Sequence, residues 1–121
     1  MSSSKQFLAV YVGSGDSPRR KAWDAMPAAE QQAKTKQGID AWGAWAQKHQ
    51  ASIVVMGGPL GKTKKAGPGG IADIGNQMVG FTLVQADSHE AAAKLFVNHP
   101  HFSIFPGDGV EIMPVLPIPG I

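Results

Sequence analysis

The chain of 121 residues contains no cysteine, so disulfides, thiolate nucleophiles and thiolate metal sites are all excluded. Long apolar runs are missing too. The stretch Phe7 to Val12 is far too short for a signal-peptide core or a membrane span, and no other segment reaches the length either requires. No membrane partner is therefore expected, and the expected location is cytoplasmic. Nor does one sign of charge dominate: 11 Lys and Arg stand against 9 Asp and Glu, a net charge of +2. The basic residues are scattered, at Arg19-Arg20-Lys21, at Lys34 and Lys36, and at Lys62, Lys64 and Lys65. A nucleic-acid binder concentrates such residues on one face with aromatics between them, so no nucleic-acid partner is expected.

What is present is a globular composition, 43% hydrophobic and 17% charged, which argues against wholesale disorder. The length suits one domain that buries roughly two thirds of its unfolded surface. Residues 1–121 are expected to form a single α+β domain, with a flexible N-terminus at 1–5 and a proline-rich tail at 116–121.

Gln6 to Val12 carries β-branched and aromatic residues and is bounded by Gly13-Ser14-Gly15-Asp16, the pattern of a strand. Ser17-Pro18 is a helix cap with a first-turn proline, leading a short helical turn through Trp23. Pro27 opens a longer helix, Ala28 to about Gln50, with Ile39, Trp42, Ala46 and His49 on one apolar stripe and Trp45 beside it. Ser52 to Met56 is a buried strand. Gly57 to Gly70 holds so many glycines and prolines that an irregular loop is expected, one able to cover a cleft, its lysines drawing an anionic ligand. Gln77 to Gln85 is a further strand, Ser88 a cap, and Ala91, Ala92, Leu95 and Phe96 the apolar face of a second helix. Gly109 to Val115 closes the order as a strand. The sequence β-α-β-β-α-β predicts a ferredoxin-like fold, with both helices on one face of a four-stranded antiparallel sheet. Phe7-Ala9-Tyr11 and Leu8-Val10-Val12 are both apolar, so the second sheet face calls for a partner, most economically a second copy of the chain.

Chemistry is sought first at Asn98-His99-Pro100-His101-Phe102, which holds two of the four histidines. Proline restricts the residue before it, so a helix is expected to stop here, leaving imidazoles that titrate near neutrality at a helix C-terminus. Hydrogen bonding of His99 and His101 to exposed carbonyls or water is the plain alternative to a proton-transfer role. A His-x-His pair supplies only two metal ligands and no third is identifiable, so no metal is expected, and no motif implies a cofactor. Gly57 to Thr63 is no phosphate-binding loop: Met56 stands where that motif needs its first glycine, and no helix follows.

The tryptophan helix, the strand ending in GGPL, the segment GFTLVQADSHEAAAKLF, the proline of NHPHF and the final VEIMPV together resemble the YCII-related proteins, over roughly Phe7 to Val115. The resemblance implies a small dimeric α+β barrel of ferredoxin-like topology. It also implies a site in which a histidine on the first long helix and an aspartate before the helix-ending proline form an acid–base pair; one relative is a dehydrochlorinase. In this chain the helix position is Ala41, next to Asp40, and the residue before Pro100 is His99. The resemblance thus makes Asp40 and His99 candidates for the two roles exchanged. The helical wheel speaks against that, since Asp40 lies nearly opposite the apolar stripe.

Catalytic candidates are therefore His99, ahead of His101, together with Asp40. Trp42 and Trp45 are core residues or walls of a ligand cleft, and Lys62 is a candidate for attracting the ligand. Asp108 and Glu111 lie near enough in sequence to orient a histidine. Two functions stand side by side: a small-molecule lyase or hydrolase using histidine acid–base chemistry, and a non-catalytic dimeric module that binds a small ligand or supports another protein.

Overall fold

The computed structural model describes residues 5–120. Its first strand, β1 (Lys5–Val12), begins at Lys5, so the expected flexible segment 1–5 otherwise lies outside the described residues. After β1 come α1 (Pro18–Asp24), α2 (Ala28–Lys48), a 3-10 turn at Gln50–Ser52 and β2 (Ile53–Pro59). β3 (Thr63–Gly67) and β4 (Gly70–Ile74) follow, then β5 (Met78–Ala86), α3 (His89–Lys94), α4 (Pro100–Ser103) and β6 (Gly109–Pro114).

Four strands form one sheet in the order β2-β5-β1-β6, with every pairing antiparallel. The central strand β1 turns alternate residues to the two sheet faces, and Ala9, Val10 and Tyr11 are buried in succession. Phe7, Ala9 and Tyr11 are buried beneath the helices, where they meet Trp45, Val84, Ala92 and Phe96. The indole N–H of Trp45 donates to the carbonyl of Leu95 at 2.7 Å, tying α2 to the end of α3 on that same side. His89 fastens the other end of α3: its Nε2 donates to the Ile112 carbonyl at 2.7 Å while its ring stacks on Phe7. This is the ferredoxin-like α+β fold that the strand and helix patterns predict. The opposite sheet face is also apolar. Cross-strand pairing sets Leu8 against Leu83 and Val10 against Phe81, with Val55 and Met113 flanking them at 46% and 39% exposure.

The helix starts follow from their caps. The Ser17 hydroxyl accepts from the Arg20 N–H at 3.1 Å, with Pro18 in the first turn of α1, and the Ser88 hydroxyl accepts from Ala91 N–H at 3.1 Å at the head of α3.

Three expectations are corrected. Gly57 to Gly70 is not irregular, because its glycines and prolines gather at two points. Gly57, Gly58, Pro59 and Gly61 lie at the exit from β2, and Gly67-Pro68-Gly69-Gly70 form the tip, where Gly70 has φ +106°. Thr63–Ala66 between them is free to pair with Ile71–Ile74 as a separate two-stranded ribbon. An ion pair from Lys64 to Asp73 (2.7 Å) and a hydrogen bond from the Asn76 amide to Thr63 (3.1 Å) hold the ribbon together.

The second correction concerns the stripe on α2. Ile39 is 62% exposed, and the face turned inward passes instead through Gly38, Trp42, Trp45 and Ala46. Gly38 is buried because the Phe105 ring occupies the space of a side chain there: a Cβ would meet it at 2.4 Å.

Third, Pro100 does not mark where a helix ends. α3 stops at Lys94 and Asn98 adopts a left-handed φ of 58°. Pro100 then starts α4 as a first-turn residue, with His99 as its N-cap. The histidines thus stand at the start of a helix rather than at the end of one.

Candidate active site

Strand β1 delivers Tyr11 to the covered face of the sheet, and β5 delivers Thr82 beside it, since Ala9, two residues before Tyr11, pairs with Thr82. The two side chains hydrogen-bond at 2.8 Å, and the Thr82 oxygen also lies 2.8 Å from the Met56 carbonyl. A carbonyl only accepts, so the Thr82 proton goes to Met56 and the Tyr11 hydroxyl donates to Thr82. Met56 presents that carbonyl at an irregularity of β2, where Gly57 takes φ +70° and approaches so near that a Cβ would lie 2.0 Å from the Phe81 oxygen. Only glycine fits there. Burial pushes the Tyr11 phenol above its usual pKa, partly offset by the bond to Thr82, so it stays protonated and its oxygen offers lone pairs.

His101 completes the group, its ring 5.3 Å from that of Tyr11. Its Nε2 contacts the Val12 carbonyl at 2.8 Å and must donate. The neutral ring therefore carries its basic lone pair on Nδ1. The turn after α4 grips the ring from behind. Gly107 N–H donates to the His101 carbonyl at 2.9 Å, and a Cβ on Gly107 would fall 2.2 Å from Nε2. Asp108 N–H donates to the Val12 carbonyl at 3.0 Å, while the Asp108 carboxylate accepts from Ser14 N–H at 2.9 Å. Burial lowers the His101 pKa; the Val12 bond and Asp108 work against that, and Arg19 adds to it. The imidazole is neutral at pH 7, the form a general base needs.

These residues line a cavity of about 500 Å³, the size of a small-molecule site. Trp42 and Phe105 form its aromatic wall, the Met56–Pro59 backbone its other side, and Ile39 its rim. No Lys, Arg, Asp or Glu lines it.

His99 is placed differently. It is fully buried, and its Nδ1 accepts from the backbone N–H of His101 at 3.0 Å, which puts the ring proton on Nε2. That Nε2 has no hydrogen-bond partner among the described residues. The ring packs between Trp42 and Trp45, with ring centroids at 4.5 and 4.6 Å and planes at 90° and 73°. Burial, with His101 and His49 adding to it, lowers the His99 pKa to about 3. His99 caps and braces; it does not line the cavity.

The other expected residues are dispersed. Asp40 sits on the outer surface of α2, paired with Lys36 at 2.9 Å and with a side chain 66% exposed, and makes no approach to His99. Its exposure fits the helical wheel and leaves no exchanged acid–base pair. Trp42 is at the cavity wall, whereas Trp45 is in the core, its N–H spent on Leu95. Lys62 is exposed on the link between β2 and β3 and does not line the cavity. Glu111 pairs with Val10 and so faces the open side of the sheet. Tyr11, Thr82 and Phe105 were not among the residues singled out. One signal was available for Tyr11: the sole tyrosine of the chain, on a strand face that must be buried, needs a partner for its hydroxyl. Among the described residues no three His, Cys, Asp or Glu side chains are grouped as metal ligands, and no helix is long and apolar enough to cross a membrane.

The chain is thus a small ferredoxin-like α+β protein with a half-open aromatic cavity and a histidine at its wall. No protein-family profile and no curated protein matches the chain. Among solved structures it is similar to 5-chloro-2-hydroxyhydroquinone dehydrochlorinase from Burkholderia phenoliruptrix, determined in complex with 2,5-dihydroxybenzoquinone. The two share 18% identity over 92% of this chain and 93% of that one, with a TM-score of 0.51. At that identity the likeness establishes the fold.

Proposed function

We propose that this chain is a YCII-related enzyme that removes a proton from a small, flat, hydroxylated ring in the cavity beside His101, in an elimination of the lyase type. The observation that carries the reading is that His101 and Tyr11 line one cavity whose other walls are apolar. The Nδ1 lone pair of His101 and the Tyr11 oxygen both call for hydrogen-bond donors, which ring hydroxyls provide, and the aromatic wall suits a flat ring. His101 takes a ring-hydroxyl proton on Nδ1 and the ring's carbon–chlorine bond breaks to release chloride, a net loss of HCl, while the resulting imidazolium keeps its Nε2–H bond to Val12. Asp108 favours that charged form. Tyr11 orients the substrate by accepting from a ring hydroxyl, its own proton held by Thr82. The relative that shares the fold, a dehydrochlorinase bound to a dihydroxybenzoquinone, supports this reading.

A second copy of the chain is the proposed cover for the open sheet face around Leu8, Leu83, Val55 and Met113. The test of the enzymatic reading is chloride release from chlorinated hydroxyhydroquinones, with wild type and His101→Asn compared at equal folded concentration. The substitution is expected to lower the rate about 100-fold or more. Saturable binding of dihydroxybenzoquinone with no turnover of any halogenated analogue would favour the non-catalytic ligand-binding module instead.

A further inference from the structure

A second cavity, of about 330 Å³, lies on the other side of His101 and Phe105. Those two residues and Val79 line both spaces, so the two are adjoining chambers with a common wall. Their chemistry differs. The first has no Lys, Arg, Asp or Glu in its lining; the second has one charged residue, Arg20, and is floored by the Gly13-Ser14-Gly15 turn beside Trp23. Arg20 pairs with Asp24 through Nε, at 3.2 Å, and a guanidinium carries further N–H groups with which to donate elsewhere. The neighbouring carboxylates are already engaged: Asp108 accepts from Ser14 N–H and Asp16 from the Ser14 hydroxyl. Arg19, next to Arg20, is also committed, to the carbonyls of Phe102 and Phe105. It thereby fixes the turn that carries the common wall.

We infer that the second chamber receives a carboxylate arm of the ligand, bound by Arg20, while the ring of the same molecule occupies the first chamber. The ligand class is thus a hydroxylated aromatic or quinoid ring bearing a short acid side chain that passes the Val79–Phe105 edge. This inference rests on the proposed use of the first cavity and adds the recognition of charge. An apolar chamber selects flat rings of many kinds; a single guanidinium reached past the edge selects among them the ones that carry an acid.

The test measures tryptophan fluorescence quenching by two probes, a naphthol and the corresponding hydroxynaphthylacetate, on the intact chain. Trp42 reports the first chamber and Trp23 the second. The acid is expected to bind about five- to ten-fold more tightly than the naphthol. Arg20→Gln is expected to abolish that difference without changing naphthol binding, and Asp24→Asn to enlarge it by freeing the guanidinium. Both substitutions are at exposed positions, so folding is preserved. Equal affinity of wild type and Arg20→Gln for the acid overturns the second-chamber assignment while leaving the first cavity intact. Failure of the naphthol itself to bind overturns the reading of the first cavity and this inference with it.

Discussion

The backbone N–H of His101 donates to Nδ1 of His99 at 3.0 Å, so the buried imidazole positions the one at the cavity by capping the helix on which it stands. A protonated Nδ1 cannot accept that bond. His99 has therefore to stay neutral for α4, and with it His101, to keep its place.

The consequence for stability has a definite sign. Because folding lowers the His99 pKa from 6.5 to about 3, the unfolded chain binds the extra proton over that interval and the folded chain does not. The stabilisation is complete above pH 6.5 and is lost as pH falls toward 3, by about 1.4 kcal/mol per pH unit while His99 alone titrates. His99→Asn preserves an N-cap acceptor and removes the titration. Denaturant melts between pH 7 and pH 4 are expected to show a shallower loss for the variant; parallel curves would refute the assignment.

Gly107→Ala tests the grip on the catalytic candidate. A Cβ 2.2 Å from Nε2 forces the ring away from the Val12 carbonyl. The expected cost is about 1–3 kcal/mol of stability, with a shift of the His101 imidazole signals in NMR. Unchanged signals and an unchanged melt would show that the turn yields instead.

The Tyr11–Thr82–Met56 chain is expected to behave as a unit. Thr82→Val strands the Tyr11 hydroxyl in an apolar wall and costs about 1–3 kcal/mol. In the Tyr11→Phe background the same change is expected to cost about 1 kcal/mol less. Additive losses in a double-mutant cycle would mean that the bond contributes nothing.

For the open sheet face, light scattering at micromolar concentration is expected to report twice the chain mass. Leu83→Lys, in the middle of that face opposite Leu8, is expected to yield monomers. A wild-type monomer would contradict the proposed cover.

The frame was legible because its signals are local and periodic. The β-branched and aromatic run Phe7–Val12, the Ser17-Pro18 and Ser88 caps and the tryptophan spacing each depend on near neighbours in sequence, and these fix β1, α1, α3 and α2. The site was less legible because it depends on distant pairings. Tyr11 meets Thr82 only through the β1–β5 register, and His101 meets Val12 across 89 positions of chain. His99 was preferred over His101 because it lies at the proline corner. That corner holds an N-cap, and a cap turns its side chain back to the backbone. The ribbon was missed because glycine and proline were weighed by number, whereas their positions, at the exit and the tip, are what allow the four residues between them to pair.

The β3–β4 ribbon pairs only within itself, apart from the four-stranded sheet, and leaves Ile71 77% exposed. Its two ends rejoin the sheet side by side, where Leu60 N–H donates to the Val79 carbonyl at 3.0 Å next to the cavity-lining Pro59 and Val79. A graft at that pair of positions leaves the register of the four-stranded sheet untouched. The segment between Leu60 and Asn76 thus pairs apart from the sheet and rejoins it beside two cavity-lining residues, where its length, charge and apolar content bear on none of the sheet's own ladders.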